Sequence, residues 1–278
     1  VRAGPGVKRI LSAAVFLPIF WVVVKRFGPV PYGTLLLVAA LVALYELYAL
    51  AGACGHRCHR ELGVVLAVLL LASFVYPELR PEYALAFGLF ALPVASLRRG
   101  GDWGPVFGDI GATFFAATLI GVSFGYLMGL RLLADPPKGD ETGSDLVFLL
   151  FFVVWSSDVA AYYVGHAFGR RALAPSVSPK KTVEGAIGGL LGAVTAAFVA
   201  RAWFIHRLTP GDCIALGFAL GGIGIVGDLV ESMLKRGAGV KDSARLVPGH
   251  GGILDRIDSL LYAAPLLYYY YLLAMRTT

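Results

Sequence analysis

Charge is what this 278-residue sequence has least of: Asp, Glu, Lys and Arg make up 15% of it, where an ordinary soluble domain carries about 25%. With 58% hydrophobic residues and a mean hydropathy of +0.74, polar surface is too scarce to cover a globule. That excludes a soluble enzyme and a disordered chain. Cysteine is scarce too, and three residues cannot build a disulfide scaffold. No repeat of fixed period interrupts the pattern, and no stretch is polar enough for a soluble domain. The net charge of +6 is explained by basic residues at membrane borders, so nucleic acid is not implied. What remains is an all-α, polytopic integral membrane protein.

Apolar runs at 10–24, 30–50, 62–76, 83–97, 112–130, 146–168, 186–204, 213–230 and 260–275 predict nine transmembrane helices. A crossing helix takes about 20 residues, so several of these runs need their Gly, Pro and aromatic flanks to complete them. With the N-terminus cytoplasmic, the inner segments hold Arg2, Lys8, Arg9, Arg57, Arg60, Arg98, Arg99, Arg170, Arg171, Lys180, Lys181, Lys235, Arg236, Lys241, Arg245 and Arg256. Most basic residues thus fall inside, as topology demands, and the C-terminus lies outside. The first run follows a basic start as a signal peptide would, but no small-residue cleavage site leads to a soluble region, so it is read as helix one. The loop 131–145, with Asp135, Asp140, Glu141 and Asp145, reads as a solvated outer connector. The whole chain, 1–278, is read as a single transmembrane domain whose chemistry sits in two cytoplasmic segments, 155–185 and 227–259.

The second of these segments is the richer. Asp228 closes an apolar, Gly-rich run, where an ionised carboxylate marks a site by default. On a helix, Asp228, Glu231, Ser232 and Lys235 share one face, a polar stripe. Beyond Lys241, Asp242 and Arg245, the PGHGG run of Pro248–Gly252 breaks the helix, and its glycines, Gly251 and Gly252 among them, let backbone N–H groups approach a ligand. Asp255 and Asp258 follow with i, i+3 spacing in the first turn of the last helix. Carboxylates without Cys or clustered His favour a hard cation such as Mg²⁺, and Lys and Arg beside a flexible loop favour phosphate. Each residue alone also has a structural reading, as a helix-dipole partner or a topogenic charge.

Taken as one string, SMLKRGAGVKDSARLVPGHGGILDRID from Ser232 to Asp258 resembles the signature of the phosphatidate cytidylyltransferases, also called CDP-diacylglycerol synthases. The segment WSSDVAAYYVGHAFGRRALAPSVSPKKTVEG, Trp155–Gly185, is similar to the same family's upstream region. The resemblance implies transfer of CMP from CTP to phosphatidic acid, with release of pyrophosphate, in phospholipid biosynthesis. It implies Asp228 and Asp255 as metal ligands, with Asp258 a further one, around one Mg²⁺ or two. Lys235, Arg236, Lys241 and Arg256 would bind phosphates, Lys235 and Arg256 beside the reacting groups. Ser232, Asp242 and His250 match the signature without an individual role. Lys180 and Lys181 would meet the same anionic substrates or anchor to acidic headgroups. Asp158, inside helix six, is either a substrate-site residue or a carboxylate capped by Ser156, Ser157 or Tyr162. The compact chain points to a bacterial inner membrane with the active site facing the cytoplasm.

Other signals are weaker. Cys54, His56, Cys58 and His59 crowd too closely for a tetrahedral zinc shell. His166 reads as a packed or interfacial residue. Gly217, Gly221 and Gly224 offer a close-packing face for the monomer core or for a homodimer. A transporter would need paired discontinuous helices across an internal repeat. A CDP-alcohol phosphotransferase would need a spaced aspartate pattern that is absent. A CTP-dependent lipid or polyprenol kinase remains the nearest chemical rival.

Overall fold

The structure, a computed structural model, describes residues 20–98, 103–133, 142–241 and 252–275. Its helices are α1 (20–26), α2 (Pro29–Ala53), α3 (Arg60–Ala72), α4 (Pro81–Leu97), α5 (Val106–Leu132), α6 (Thr142–Phe168), α7 (Val183–Trp203), α8 (Pro210–Gly237) and α9 (Leu254–Tyr270), the last continued by a π-helical turn, Tyr271–Met275. Five of these, α2, α5, α6, α7 and α8, are long and apolar enough to cross a membrane. The 13-residue α3 rises about 20 Å, well short of a bilayer's hydrocarbon thickness. The loop 131–145, expected as an outer connector, lies largely outside the described residues.

The chain forms two compact units, Val1–Ser144 with Asp242–Asp255, and Asp145–Lys241 with Arg256–Thr278. In the first, α5 is the central helix, packing on α2, α3 and α4. Leu44, Leu66, Leu70, Ile120, Phe124 and Leu127 are buried there, and the Phe74 ring meets Tyr126 edge-on at 4.7 Å. In the second, α7 packs along α8, and glycines set the spacing. A Cβ on Gly217 would sit 2.5 Å from Val194 Cα, and one on Gly221 3.0 Å from Ala193 Cβ. Gly224 faces Ser259 of α9, so the glycine face serves packing within the chain.

Two local departures from the sequence reading bear on function. The segment 155–185 contains an antiparallel hairpin, β1 (Ala172–Ala174) and β2 (Ser178–Thr182), with Ala172 opposite Thr182 and Ala174 opposite Ser178. Glu184, in the first turn of α7, ties the hairpin down: its carboxylate accepts the Arg170 and Arg171 amides at 3.0 and 3.1 Å and Arg171 Nε at 3.0 Å. The second departure is α8, which outruns the expected 213–230 by two turns at its C-terminal end. It opens on a capping box, Thr209 with Asp212. It closes on Gly239, at φ +69, with Val240 N–H donating to Lys235 O and Gly239 N–H to Arg236 O, each at 3.0 Å. This Schellman closure needs the left-handed glycine and defines where the helix stops. Asp228 therefore lies well inside α8.

Candidate active site

The site is built where α8 meets α9. Gly227 makes the approach possible: a Cβ there would lie 2.7 Å from the Asp258 carbonyl oxygen and 2.8 Å from Tyr262 Cδ2. With backbone against backbone, the next residue of α8 and the facing residue of α9 present their side chains together. Oxygens of Asp228, Glu231 and Asp258 lie within 4.8 Å of one another. Asp158 of α6 is near enough for the charges of Asp228 and Lys181 to act on it, and Asp258 feels Asp228, Glu231 and Asp158. Four carboxylates so close repel one another strongly, a repulsion that bound cations or protons relieve.

Two lysines supply part of that charge. Lys181 Nζ pairs with Asp228 Oδ2, and Lys235 Nζ lies 2.5 Å from Glu231 Oε2, an i, i+4 pair on α8. Lys181 reaches the site because β2 alternates its faces. The same alternation turns Lys180 the other way, and it is exposed. The two lysines, adjacent in sequence, do not share an environment.

The remaining expected residues divide. Ser232 is buried beside Glu231 on α8. Arg236 is committed to local structure, donating to Val177 O in the hairpin turn and to Val240 O, each at 3.2 Å. Lys241 and Arg256 are exposed. Gly252 N–H donates to Asp255 Oδ2 at 2.8 Å, so that amide is engaged by the first turn of α9. Asp242, His250 and Gly251 lie outside the described residues.

Sequence reasoning singled out neither Glu231 as a ligand nor Glu46, a fully buried carboxylate of α2 that accepts the amides of Ile253 and Leu254. Glu231 was visible only as a member of the polar stripe. The ionisable residue inside the apolar run of α2 was the available signal for Glu46.

The donor set fits a hard divalent cation. It offers carboxylate oxygens from two helices, without sulfur or imidazole, at a spacing one ion can bridge. The lysines stand beside it as ready partners for phosphate.

The sequence matches the model described as "Cytidylyltransferase family" over residues 7–274. A phosphatidate cytidylyltransferase of Bacillus subtilis is 35% identical over 275 residues, 94% of each chain. One of Staphylococcus haemolyticus is 32% identical over 93% of this chain and 96% of its own length. One of Haemophilus influenzae is 50% identical over 137 residues, and there the match spans about half of either chain, 46%. The full-length agreement and the matched residues lead to one conclusion: the chain belongs to the cytidylyltransferase family.

Proposed function

We propose that this protein transfers CMP from CTP to the phosphate of phosphatidic acid, forming CDP-diacylglycerol. An oxygen of the lipid phosphate attacks the α-phosphorus of CTP, the bond from that phosphorus to the β-phosphate oxygen breaks, and pyrophosphate leaves. The attacking phosphate is anionic near neutral pH, so no strong base is needed. The difficulty is to bring two polyanions together in line, which is a matter of positioning and charge.

The observation that carries this reading is the gathering of Asp228, Glu231 and Asp258 on two helices beside Lys181 and Lys235. Asp228, Glu231 and Asp258 would hold Mg²⁺, with Asp255 a further ligand by family resemblance. A bound Mg²⁺ supplies charge neutralisation to the triphosphate and to the leaving pyrophosphate. Lys181 and Lys235 give their ammonium groups to phosphate oxygens. Arg256 and Lys241, both exposed, draw the soluble nucleotide toward the site. Lys180, on the other side of its strand, faces acidic headgroups. The apolar helices support a reaction at a membrane, and the basic residues of the segments 155–185 and 227–259 favour a site on the cytoplasmic side of a bacterial inner membrane.

Purified protein with labelled CTP, phosphatidic acid and Mg²⁺ tests this. Lipid-linked CMP and free pyrophosphate should appear together, chelation should stop turnover, and Mg²⁺ should restore it. Asp228→Asn, Asp255→Asn and Asp258→Asn should each lower turnover roughly 100-fold or more, the scale of losing a main electrostatic contact. A phosphorylated lipid with release of CDP would instead identify a kinase.

A further inference from the structure

Glu46 lies mid-way along α2, in the apolar run LVALYELYAL, and is 0% exposed. A carboxylate there is costly unless its lone pairs are satisfied. Both oxygens are: Oε1 accepts Ile253 N–H at 3.0 Å and Oε2 accepts Leu254 N–H at 2.8 Å. These amides open α9, and the first N–H groups of a helix have no partner within it. Leu254 is 1% exposed, so its amide is shut off from solvent. Local sequence offers little help: Gly251 and Gly252 have no side chains and Ile253 is apolar, where a helix would ordinarily begin on Ser, Thr, Asn or Asp. The adjacent Gly252 amide is taken by Asp255 Oδ2 at 2.8 Å. The remaining capping function falls to a residue more than 200 positions away in sequence.

A local cap fixes only where a helix starts. A two-point grip by another helix also fixes the position and rotation of that start. One turn beyond Leu254 is Asp258, whose oxygen must stand with those of Asp228 and Glu231. We infer that Glu46 is a positioning residue for the transferase reaction: by holding the Ile253 and Leu254 amides, it sets how α9 presents Asp258. This rests on the metal-binding reading of that carboxylate group.

The test uses the full chain in detergent with Glu46→Gln and Glu46→Ala, with Leu47→Ala as control. Leu47 is 5% exposed on the same helix, and its truncation loosens packing without touching α9's amides. Mn²⁺ binding followed by electron paramagnetic resonance reads the carboxylate group independently of turnover, and kcat and KM are measured per folded molecule. Glu46→Ala should weaken Mn²⁺ binding and lower kcat, each about tenfold or more, with a smaller change in the KM for CTP. Glu46→Gln, which keeps one carbonyl acceptor, should fall between it and wild type. Leu47→Ala should lower the unfolding temperature and leave Mn²⁺ affinity and kcat near wild type. Wild-type Mn²⁺ affinity and kcat in both Glu46 variants would overturn the inference, as would equal losses in Leu47→Ala. Failure of the wild-type protein to convert CTP and phosphatidic acid would sink the functional reading instead, and the Mn²⁺ comparison would still decide the role of Glu46.

Discussion

Gly227→Ala is the smallest change that should separate site geometry from stability. Inside a helix, alanine is favoured over glycine by about 1 kcal/mol, so locally the substitution helps α8. Its methyl, however, would lie 2.7 Å from the Asp258 carbonyl oxygen, 2.8 Å from Tyr262 Cδ2 and 3.3 Å from Ser259 Cα. Tyr262 can swing aside, but a carbonyl oxygen inside α9 cannot. Reaching an ordinary van der Waals separation requires a shift of roughly 0.7 Å between the helices. Overpacking of this kind costs about 1–3 kcal/mol, which the helix propensity partly offsets, so the unfolding temperature should fall by only a few degrees. The displaced peptide is that of Asp258 itself, and metal sites tolerate ligand errors of about 0.2 Å. Turnover should therefore drop roughly 100-fold, the scale of a 1 Å misplacement, with Mn²⁺ affinity falling in parallel. Gly222→Ala is the control: it lies on the same helix with nothing within 4 Å of its Cβ position, and should keep wild-type turnover while gaining slightly in stability. Wild-type activity in Gly227→Ala, or equal losses in both variants, would refute the reasoning.

Lys181→Met removes the ammonium paired with Asp228 and should raise the KM for CTP about tenfold; Lys180→Met should leave that KM within about threefold and weaken binding to vesicles containing anionic lipid, by roughly the 1 kcal/mol of one juxtamembrane charge. Glu231→Gln should reduce Mn²⁺ affinity about tenfold, measured by titration, because it withdraws one of three grouped carboxylates. Arg236→Ala cuts the tether to Val177 O, so hydrogen exchange in the hairpin should accelerate while α8 amides stay protected. An unchanged exchange profile would show that the hairpin does not depend on this tether.

Much of this arrangement could be read from sequence because helices impose a period. Asp228, Glu231, Ser232 and Lys235 fall on one face by spacing alone, and the signature of residues 232–258 supplied the chemistry. Two kinds of feature stayed hidden. The hairpin is one: three-residue β1 is too short to show alternation, and Pro179 interrupts the pattern of β2. Reading SPKKT as a strand would have parted Lys180 from Lys181. Backbone partners are the other. His59 donates its amide to Thr113 Oγ1 at 3.0 Å, and its ring Nε2 lies 2.8 Å from Ser96 Oγ. The CGHRCH cluster thus ties its loop to α4 and α5 through contacts that side-chain chemistry alone suggests poorly.

The way each acidic group is neutralised sorts these residues further. Glu46 is held by the Ile253 and Leu254 amides at the start of α9, Asp109 by the Arg57 amide at 2.8 Å, and Glu184 by two amides and a guanidinium nitrogen. Backbone donors cannot leave, so these carboxylates are fixed parts of the scaffold. Asp228 and Glu231 are balanced instead by Lys181 and Lys235, point charges on flexible four-carbon stems. Such a pair can open into two new ones, the ammonium turning to a phosphate oxygen and the carboxylate to a divalent cation, with total charge conserved. That exchange would let nucleotide and cation enter the proposed site without stranding a charge in it. It follows that the lysines and the carboxylates should fail as pairs: a double variant such as Lys235→Met with Glu231→Gln should lose less than the sum of its single losses.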